Sequence, residues 1–323
     1  MPDWIQESGR RRGGLKVSSG IDQSRTEGVV SSPVDVPPVG DEEFEEAPRR
    51  SKRKFGVVFW ISAVWIAIVV LAALTADILP IPSPSDARFE LTNEPPGAEA
   101  LLGTDDIGRD ILSRIIYGGR VSLTVGLLAI ALGLTVGTAF GLLSGYFRGR
   151  VDSAVTVLTD SMLAFPPLVL ILALTAALGQ SQRNLTIGIG IITIPVFIRL
   201  SRANTMVFAQ REFVTAAKAM GAKDGRIMFR EVLPNVMLPI AAFMFLAMAV
   251  VIVAEGSLSF LGLGVPSPTP SWGGMIARGR GELESAPHVA LIPSLVMFQT
   301  VVSFNFIGDT LRSRLDVGGG PQL

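Results

Sequence analysis

The sequence predicts an all-α membrane protein with six transmembrane helices, and three observations carry that prediction. The chain has 323 residues, of which 49% are hydrophobic and only 17% charged, whereas a soluble domain is about a quarter charged. The apolar residues fall in long blocks, as transmembrane segments do, instead of being spread through a soluble core. Lys and Arg gather beside alternate blocks, which gives the segments a consistent sidedness.

Residues 1–54 are polar and rich in Pro, Ser, Gly and charge, with the acidic run DEEFEE followed by the basic run RRSKRK. Such a segment cannot bury enough apolar surface to fold, so a disordered cytoplasmic tail is predicted. Its polar leader and the apolar block behind it are both too long for a secretory signal. Residues 55–76 form the first transmembrane helix. Residues 77–118 form an extracytoplasmic segment, in which Thr104 or Asp105 can cap a short surface helix over about 106–117. Residues 119–309 form a five-helix core, with apolar blocks at about 121–147, 155–178, 185–207, 236–255 and 289–307. Each is long enough for a hydrocarbon layer that needs about 20 helical residues. With no water for the backbone to bond, helix is the form expected. A cytoplasmic loop, 211–235, interrupts the core, and 310–323 is a cytoplasmic tail.

Arg49, Arg50, Lys52, Arg53 and Lys54 stand beside the first block and put the N-terminus in the cytoplasm. Alternation then places Arg148, Arg150, the 211–235 loop, Arg312 and Arg314 inside. Arg88, Arg109, Arg114, Arg120, Arg183, Arg278 and Arg280 fall outside. Both termini are thus expected in the cytoplasm.

Composition also excludes functions. The net charge is zero, which gives no basic patch for nucleic acid. The absence of cysteine removes disulfides, thiolate catalysis and cysteine metal sites. The single histidine, His288, is expected in a solvated loop. There is no G-x-x-x-x-G-K-[ST] phosphate loop, and GELES at 281–285 is no substitute. G-x-S-x-G and H-E-x-x-H are absent too. No catalytic, cofactor-binding or metal-ligating residue is therefore assigned. Asp160, Arg199, Arg202 and Glu255 stand towards the ends of their spans, where snorkelling or a helix end can bring them to an interface. An ion-gradient-driven carrier or channel would require an intramembrane charged cluster or inverted repeats, and neither is evident. A scaffold that binds a cytoplasmic partner without transport is a third class.

In the second span Ala129, Gly133, Gly137, Gly141 and Gly145 recur every four residues and share one helix face. A stripe without side chains lets another backbone approach closely, which predicts a packing seam.

The loop REFVTAAKAMGAKDGRIMFREVLPN (211–235) is charged where its flanks are apolar. Glu212 suits a helix N-terminus. Phe213, Ala216, Ala217 and Met220 make an apolar face at helical spacing. Gly221 fits a left-handed C-terminal cap. Asp224 can cap a second short helix carrying Ile227, Met228 and Val232 with Arg226 and Arg230. Pro234 is expected to stop that helix and turn the chain before the fifth span. Small Ala216 and Ala217 would let a partner approach. The pattern alone fits a docking knob or an amphipathic linker lying on lipid headgroups.

TAAKAMG followed by EVLP resembles the "EAA" loop of permease subunits of binding-protein-dependent ABC importers, with Ala216, Ala217, Gly221, Leu233 and Pro234 in register. Thr215 stands where that family has Glu, and Glu231 where it has Ile. LLGTDDIGRDILSRIIYGGRVSL (101–123), DSMLAFPPLVL (160–170) and SFLGLGVPSPTPSWGGMI (259–276) resemble the oligopeptide and dipeptide branch, with nickel importers nearby. The resemblance implies a type I ABC importer permease fold in a prokaryotic cell membrane. It implies a heterodimer with a second homologous permease, two ATPase domains holding ATP and Mg, and an extracytoplasmic solute-binding protein. Glu212, Phe213, Ala216, Ala217, Met220, Gly221 and Arg226 would then dock the ATPase. Met162, Phe165 and Pro166 are candidates for the pathway. The 106–117 helix and the Pro- and Gly-rich segment 262–274, with Trp272 as an interfacial anchor, fit a binding-protein landing site or a structural lid.

Overall fold

The computed structural model describes residues 55–317, and among them the secondary structure is helical. The expected tail over 1–54 and the last residues of the C-terminal tail lie outside the described residues.

Helix α1 (Val57–Thr75) is the first apolar block. Helix α2 (Ile111–Phe147) is one continuous helix of 37 residues, about 55 Å long at the usual rise. The separate surface helix expected over 106–117 is therefore corrected: residues from Ile111 onward are the first turns of α2. Its cap is Asp110, whose carboxylate accepts a 2.7 Å bond from the Ser113 N–H, so neither Thr104 nor Asp105 serves. Asp105 instead accepts from the backbone N–H of Ile107 and Arg109. At the other end Arg148 and Gly149 both have positive φ (51° and 55°), which turns the chain sharply into α3 (Gly149–Ala164).

Helices α3 and α4 (Pro167–Leu178) are bent by 80° at Phe165–Pro166. Phe165 precedes a proline and is extended (φ −80°, ψ 126°), as the proline ring requires. The third apolar block is thus a broken helix. Helix α5 (Gln182–Phe208) starts at Ser181, whose hydroxyl accepts from the Asn184 N–H at 3.1 Å. Helix α6 (Glu212–Ala219) and the single turn α7 (Asp224–Arg226) follow. A π-wound stretch, Ile227–Val232, then leads into α8 (Leu233–Phe260). Helices α9 (Trp272–Gly279) and α10 (His288–Val317) complete the fold. Since α10 continues past residue 309, the expected boundary there falls inside a helix.

The glycine stripe sets the architecture. A Cβ on Gly137 would lie 2.5 Å from Phe197 Cβ and 2.9 Å from the Ile194 carbonyl oxygen; on Gly141, 2.6 Å from the Ile198 oxygen; on Gly145, 2.7 Å from the Arg202 oxygen. Thr193 is the neighbour of Gly133, and its hydroxyl bonds the Ala129 carbonyl at 3.3 Å. Backbone meets backbone along this seam, which only residues without side chains permit.

Successive stripe positions meet successively later positions of α5, so α2 and α5 run parallel. Two parallel helices require the chain between them to cross back, and α3 with α4 makes that return. Among the described residues five helices are long and apolar enough to span, and the bent pair makes six. Helix α8 runs antiparallel to α2, since Gly126 meets Val251 while Ser122 meets Glu255. Helix α10 runs antiparallel to α8, since Gly308 meets Leu246 while Gly256 meets Met297. Helix α1 lies antiparallel on α10: Trp65 donates to the Thr300 hydroxyl at 3.0 Å, and the Arg314 guanidinium sits 3.5 Å above the Phe55 ring. One end of the bundle therefore gathers Phe55, the ends of α2 and α5, α6 and Arg314. We call it the inner end, after the sidedness that Lys and Arg predict. The outer end gathers residues 77–110 and 261–287.

Candidate functional site

At the inner end α6 begins with Glu212 in its first turn and ends with Lys218 in its last, each the sign that the helix dipole favours there. It closes in a Schellman motif: the Gly221 N–H donates to the Lys218 oxygen at 2.9 Å and the Ala222 N–H to the Ala217 oxygen at 3.0 Å. Gly221 holds φ +79° and nothing lies within 4 Å of where its Cβ would be. The turn needs glycine for its backbone and not for lack of room.

The face that α6 buries is not the one periodicity suggested. Val214 and Ala217 face the bundle, while Phe213 (38%), Ala216 and Met220 (82%) are exposed. Ala217 is thereby corrected from a contact offered to a partner to a contact with the bundle. Glu212, Gly221 and Arg226 are exposed as well. Phe229, 61% exposed, joins this surface. Sequence reasoning missed it because Ile227, Met228 and Val232 define the apolar face of that segment and Phe229 lies off it.

That stretch also corrects the expected stop at Pro234. The Leu233 N–H bonds the Met228 oxygen, five residues back. The wider turn makes room for a proline ring that would otherwise strike the carbonyl four residues earlier. The chain therefore runs from Asp224 into α8 without turning, with Ile227, Met228 and Val232 buried. Asp224 does not cap by its side chain. It accepts a 2.7 Å bond from the Tyr146 hydroxyl at the end of α2, and Lys218 Nζ stands 5.5 Å from the same ring. The knob is thus continuous with α8 and pinned to α2.

The charged residues of the spans find partners within the chain: Glu255 is buried in the bundle, Asp152–Arg202 is partly covered, and Asp160–Arg199 lies on its surface. Arg202 of α5 forms a bidentate pair with Asp152 of α3, with Nη2 2.7 Å from Oδ2, and Asp152 also accepts from the Ser144 hydroxyl. Arg199 of α5 bonds Asp160 of α3 at 2.8 Å. Glu255 is fully buried in α8. It accepts from the Ser122 hydroxyl of α2 at 3.1 Å and from the Ser259 hydroxyl at 2.9 Å. The pathway candidates Met162, Phe165 and Pro166 flank the α3–α4 bend, with Phe165 and Pro166 exposed.

At the outer end Trp272 is corrected from an interfacial anchor to a core residue. It is fully buried, its indole N–H donates to the Ile115 oxygen at 2.9 Å, and Gly118 and Gly119 of α2 make room for it. His288 is likewise no solvated loop residue: it opens α10, half-buried against Gly103. Asp105 pairs with buried Arg109 at 2.7 Å and with Arg114 at 3.4 Å. Burial, and then the positive charge of Arg109, hold the Arg278 guanidinium below its ordinary pKa. The Arg120 and Tyr117 bonds to Asp77 hold that carboxyl below the usual carboxylate range. Among the described residues no group of three or more His, Cys, Asp or Glu is placed to hold a metal ion.

The family profile described as "Binding-protein-dependent transport system inner membrane component" matches residues 137–317. The chain is 38% identical to the glutathione transport system permease protein GsiD of Pectobacterium atrosepticum over 251 residues, 78% of this chain and 83% of the relative. It is 38% identical to the dipeptide transport system permease protein DppC of Alkalihalophilus pseudofirmus over 286 residues, 87% of this chain and 93% of the relative. Among solved structures it is similar to the inward-facing MetNI methionine ABC transporter. The TM-score is 0.53 at 14% identity, covering 64% of this chain and 97% of the other, a likeness of fold.

Proposed function

The chain belongs to the family of binding-protein-dependent transport system inner membrane components, and from that premise we propose that it forms half of the pathway of an ATP-driven importer of di- and oligopeptides. Membership implies ATPase and binding-protein partners, with ATP and Mg on the ATPases. The second half of the pathway is a different, homologous permease. The assembly lies in the inner membrane of a prokaryote, with both ends of this chain in the cytoplasm. The relatives named for dipeptide and glutathione transport support a peptide cargo.

One observation carries the mechanism. The exposed face of α6 is braced to two spans at once: the Gly221 turn joins it to the run from Asp224 that continues into α8, and Lys218 and Asp224 both meet Tyr146 of α2. An ATPase gripping Phe213, Ala216, Met220 and Arg226 would move α8 and α2 together. The α2–α5 seam, with backbone against backbone, would carry that motion on to α5. Closure of the ATPases at the inner end thus becomes a rearrangement of the spans that alternates access between the two faces.

The test is reconstitution in proteoliposomes with the second permease, both ATPases and the binding protein. Uptake of dialanine that requires internal ATP is expected. Uptake driven by an imposed ion gradient without ATP would overturn the proposal.

A further inference from the structure

The Asp160–Arg199 pair is the charged feature that the packing of this chain leaves unexplained. Its side chains are 56% and 62% exposed, although both belong to membrane-spanning helices. Arg199 precedes the end of α5 at Phe208 by nine residues, about 14 Å at the helical rise. Asp160 follows the start of α3 at Gly149 by eleven, about 17 Å by the same rise. Helix α5 has 27 residues, about 40 Å against a hydrocarbon layer of about 30 Å, so a layer centred on it puts the pair about 8 Å inside its inner edge.

Lipid tails offer no hydrogen bonds to an ion pair, so ionisable groups at such depth face protein or water. Within this chain both side chains are more than half exposed, and the partner each finds is the other. The α5 side chains on the same exposed face include Val196, and on α3 the neighbours include Ser161, with the bend at Phe165 a turn further on. Contrast Asp152 and Arg202, one to two turns nearer the inner end. That pair is bidentate, more buried, and shares Ser144. Arg202 has one edge of its guanidinium, Nε and Nη2, closed on both oxygens of Asp152. For Arg199 one bond is found, from Nη2, which leaves the rest of the fork available.

We propose that Asp160 and Arg199 line the water-filled pathway and receive the two terminal charges of a dipeptide, the α-ammonium at Asp160 and the α-carboxylate at Arg199. The proposal rests on the peptide-importer reading above and adds to it the groups that meet the cargo. A peptide with free ends carries two opposite charges, and the pair presents their complements side by side. Each side chain can exchange its partner for one peptide terminus with no net change in buried charge. A pair that is closed at rest and opens to a zwitterion also leaves no lone charge in the pathway when cargo is absent. Arg suits the carboxylate because its fork meets two oxygens at once.

The test uses the reconstituted transporter and three probes: dialanine, N-acetyl-dialanine and dialanine amide. Wild type is expected to favour dialanine over both blocked peptides. Arg199→Gln should raise the KM for dialanine by about tenfold or more, the worth of one charged hydrogen bond, and abolish discrimination against the amide. Asp160→Asn should abolish discrimination against the acetylated peptide. Preferences unchanged in both variants overturn the proposal. A wild type without ATP-dependent uptake would instead sink the importer reading itself. Because either variant could fail to fold, water access is measured separately. The chain has no cysteine of its own, so Ser161→Cys and Val196→Cys each give this subunit a single thiol. Reaction of both with a water-soluble methanethiosulfonate in inverted vesicles is expected. Silence at both, or cross-linking of either to the second permease in place of labelling, would show a lipid or subunit interface and refute the assignment.

Discussion

Substituting Gly221 tests the coupling lever with little disturbance elsewhere. The residue holds φ +79° with open space around its Cβ position, so any effect comes from backbone strain and not from a clash. An L-residue in the left-handed region costs about 1–2 kcal/mol, and a β-branched one more. If the chain relieves that strain by leaving the turn, it also loses the bonds from Gly221 to Lys218 and from Ala222 to Ala217, each worth about 0.5–1.5 kcal/mol net. A shift of 1–2 kcal/mol changes a local equilibrium by a factor of about 5–30. Peptide uptake and substrate-stimulated ATP hydrolysis in proteoliposomes should fall in the order Gly, Asn, Ala, Val, because Asn tolerates the left-handed region best among the replacements. Membrane insertion and the amount of assembled transporter should not change. Full coupling in Gly221→Val would refute the lever. An equal loss in the Asn and Val variants would show that backbone geometry is not the cause.

Gly141→Leu should lower the melting temperature of the solubilised protein sharply, because its Cβ meets the backbone of α5 at 2.6–2.9 Å and overpacking costs about 1–3 kcal/mol or more. Gly188→Ala, whose nearest neighbours are side-chain carbons at 3.4 and 3.5 Å, should be tolerated, and equal melting of the two variants would contradict the seam. Glu255→Ala leaves the Ser122 and Ser259 hydroxyls without their acceptor, a cost of about 1–3 kcal/mol for each buried group. Glu255→Gln keeps an acceptor and should melt between wild type and Ala. Identical melting of Gln and Ala would show that the hydrogen bonds are not what Glu255 supplies.

The α2 stripe was legible in sequence because a spacing of four on a helix is a purely local property, and the structure adds only what it meets. The buried face of α6 was not legible. In a helix of eight residues and its C-cap, Phe213, Ala216 and Met220 on one side and Val214 and Ala217 on the other are both apolar. Periodicity cannot say which side meets the chain itself and which is left for a partner. The extended run through Pro234 was missed because the rule that proline ends a helix assumes regular α winding, whereas a π-wound stretch lifts the conflict. Glu255 looked like a residue seeking an interface because its acceptor role depends on Ser122, 133 residues away. That spans two and four run parallel followed from six alternating spans, whereas the register in which α2 meets α5 and the 80° bend of the third span are tertiary. The candidate site was therefore readable as a segment, and its working surface only from the packing.

On the mechanism proposed above, residues 211–235 stand in the cytoplasm and are gripped there by an ATPase. A single cysteine at Met220, the C-cap of α6 and the most exposed large apolar residue of the loop, tests it with a membrane-impermeant thiol reagent. The account predicts labelling in inverted vesicles stripped of the ATPases, protection when the ATPases are added back, and none in intact cells. Labelling from outside intact cells would contradict it.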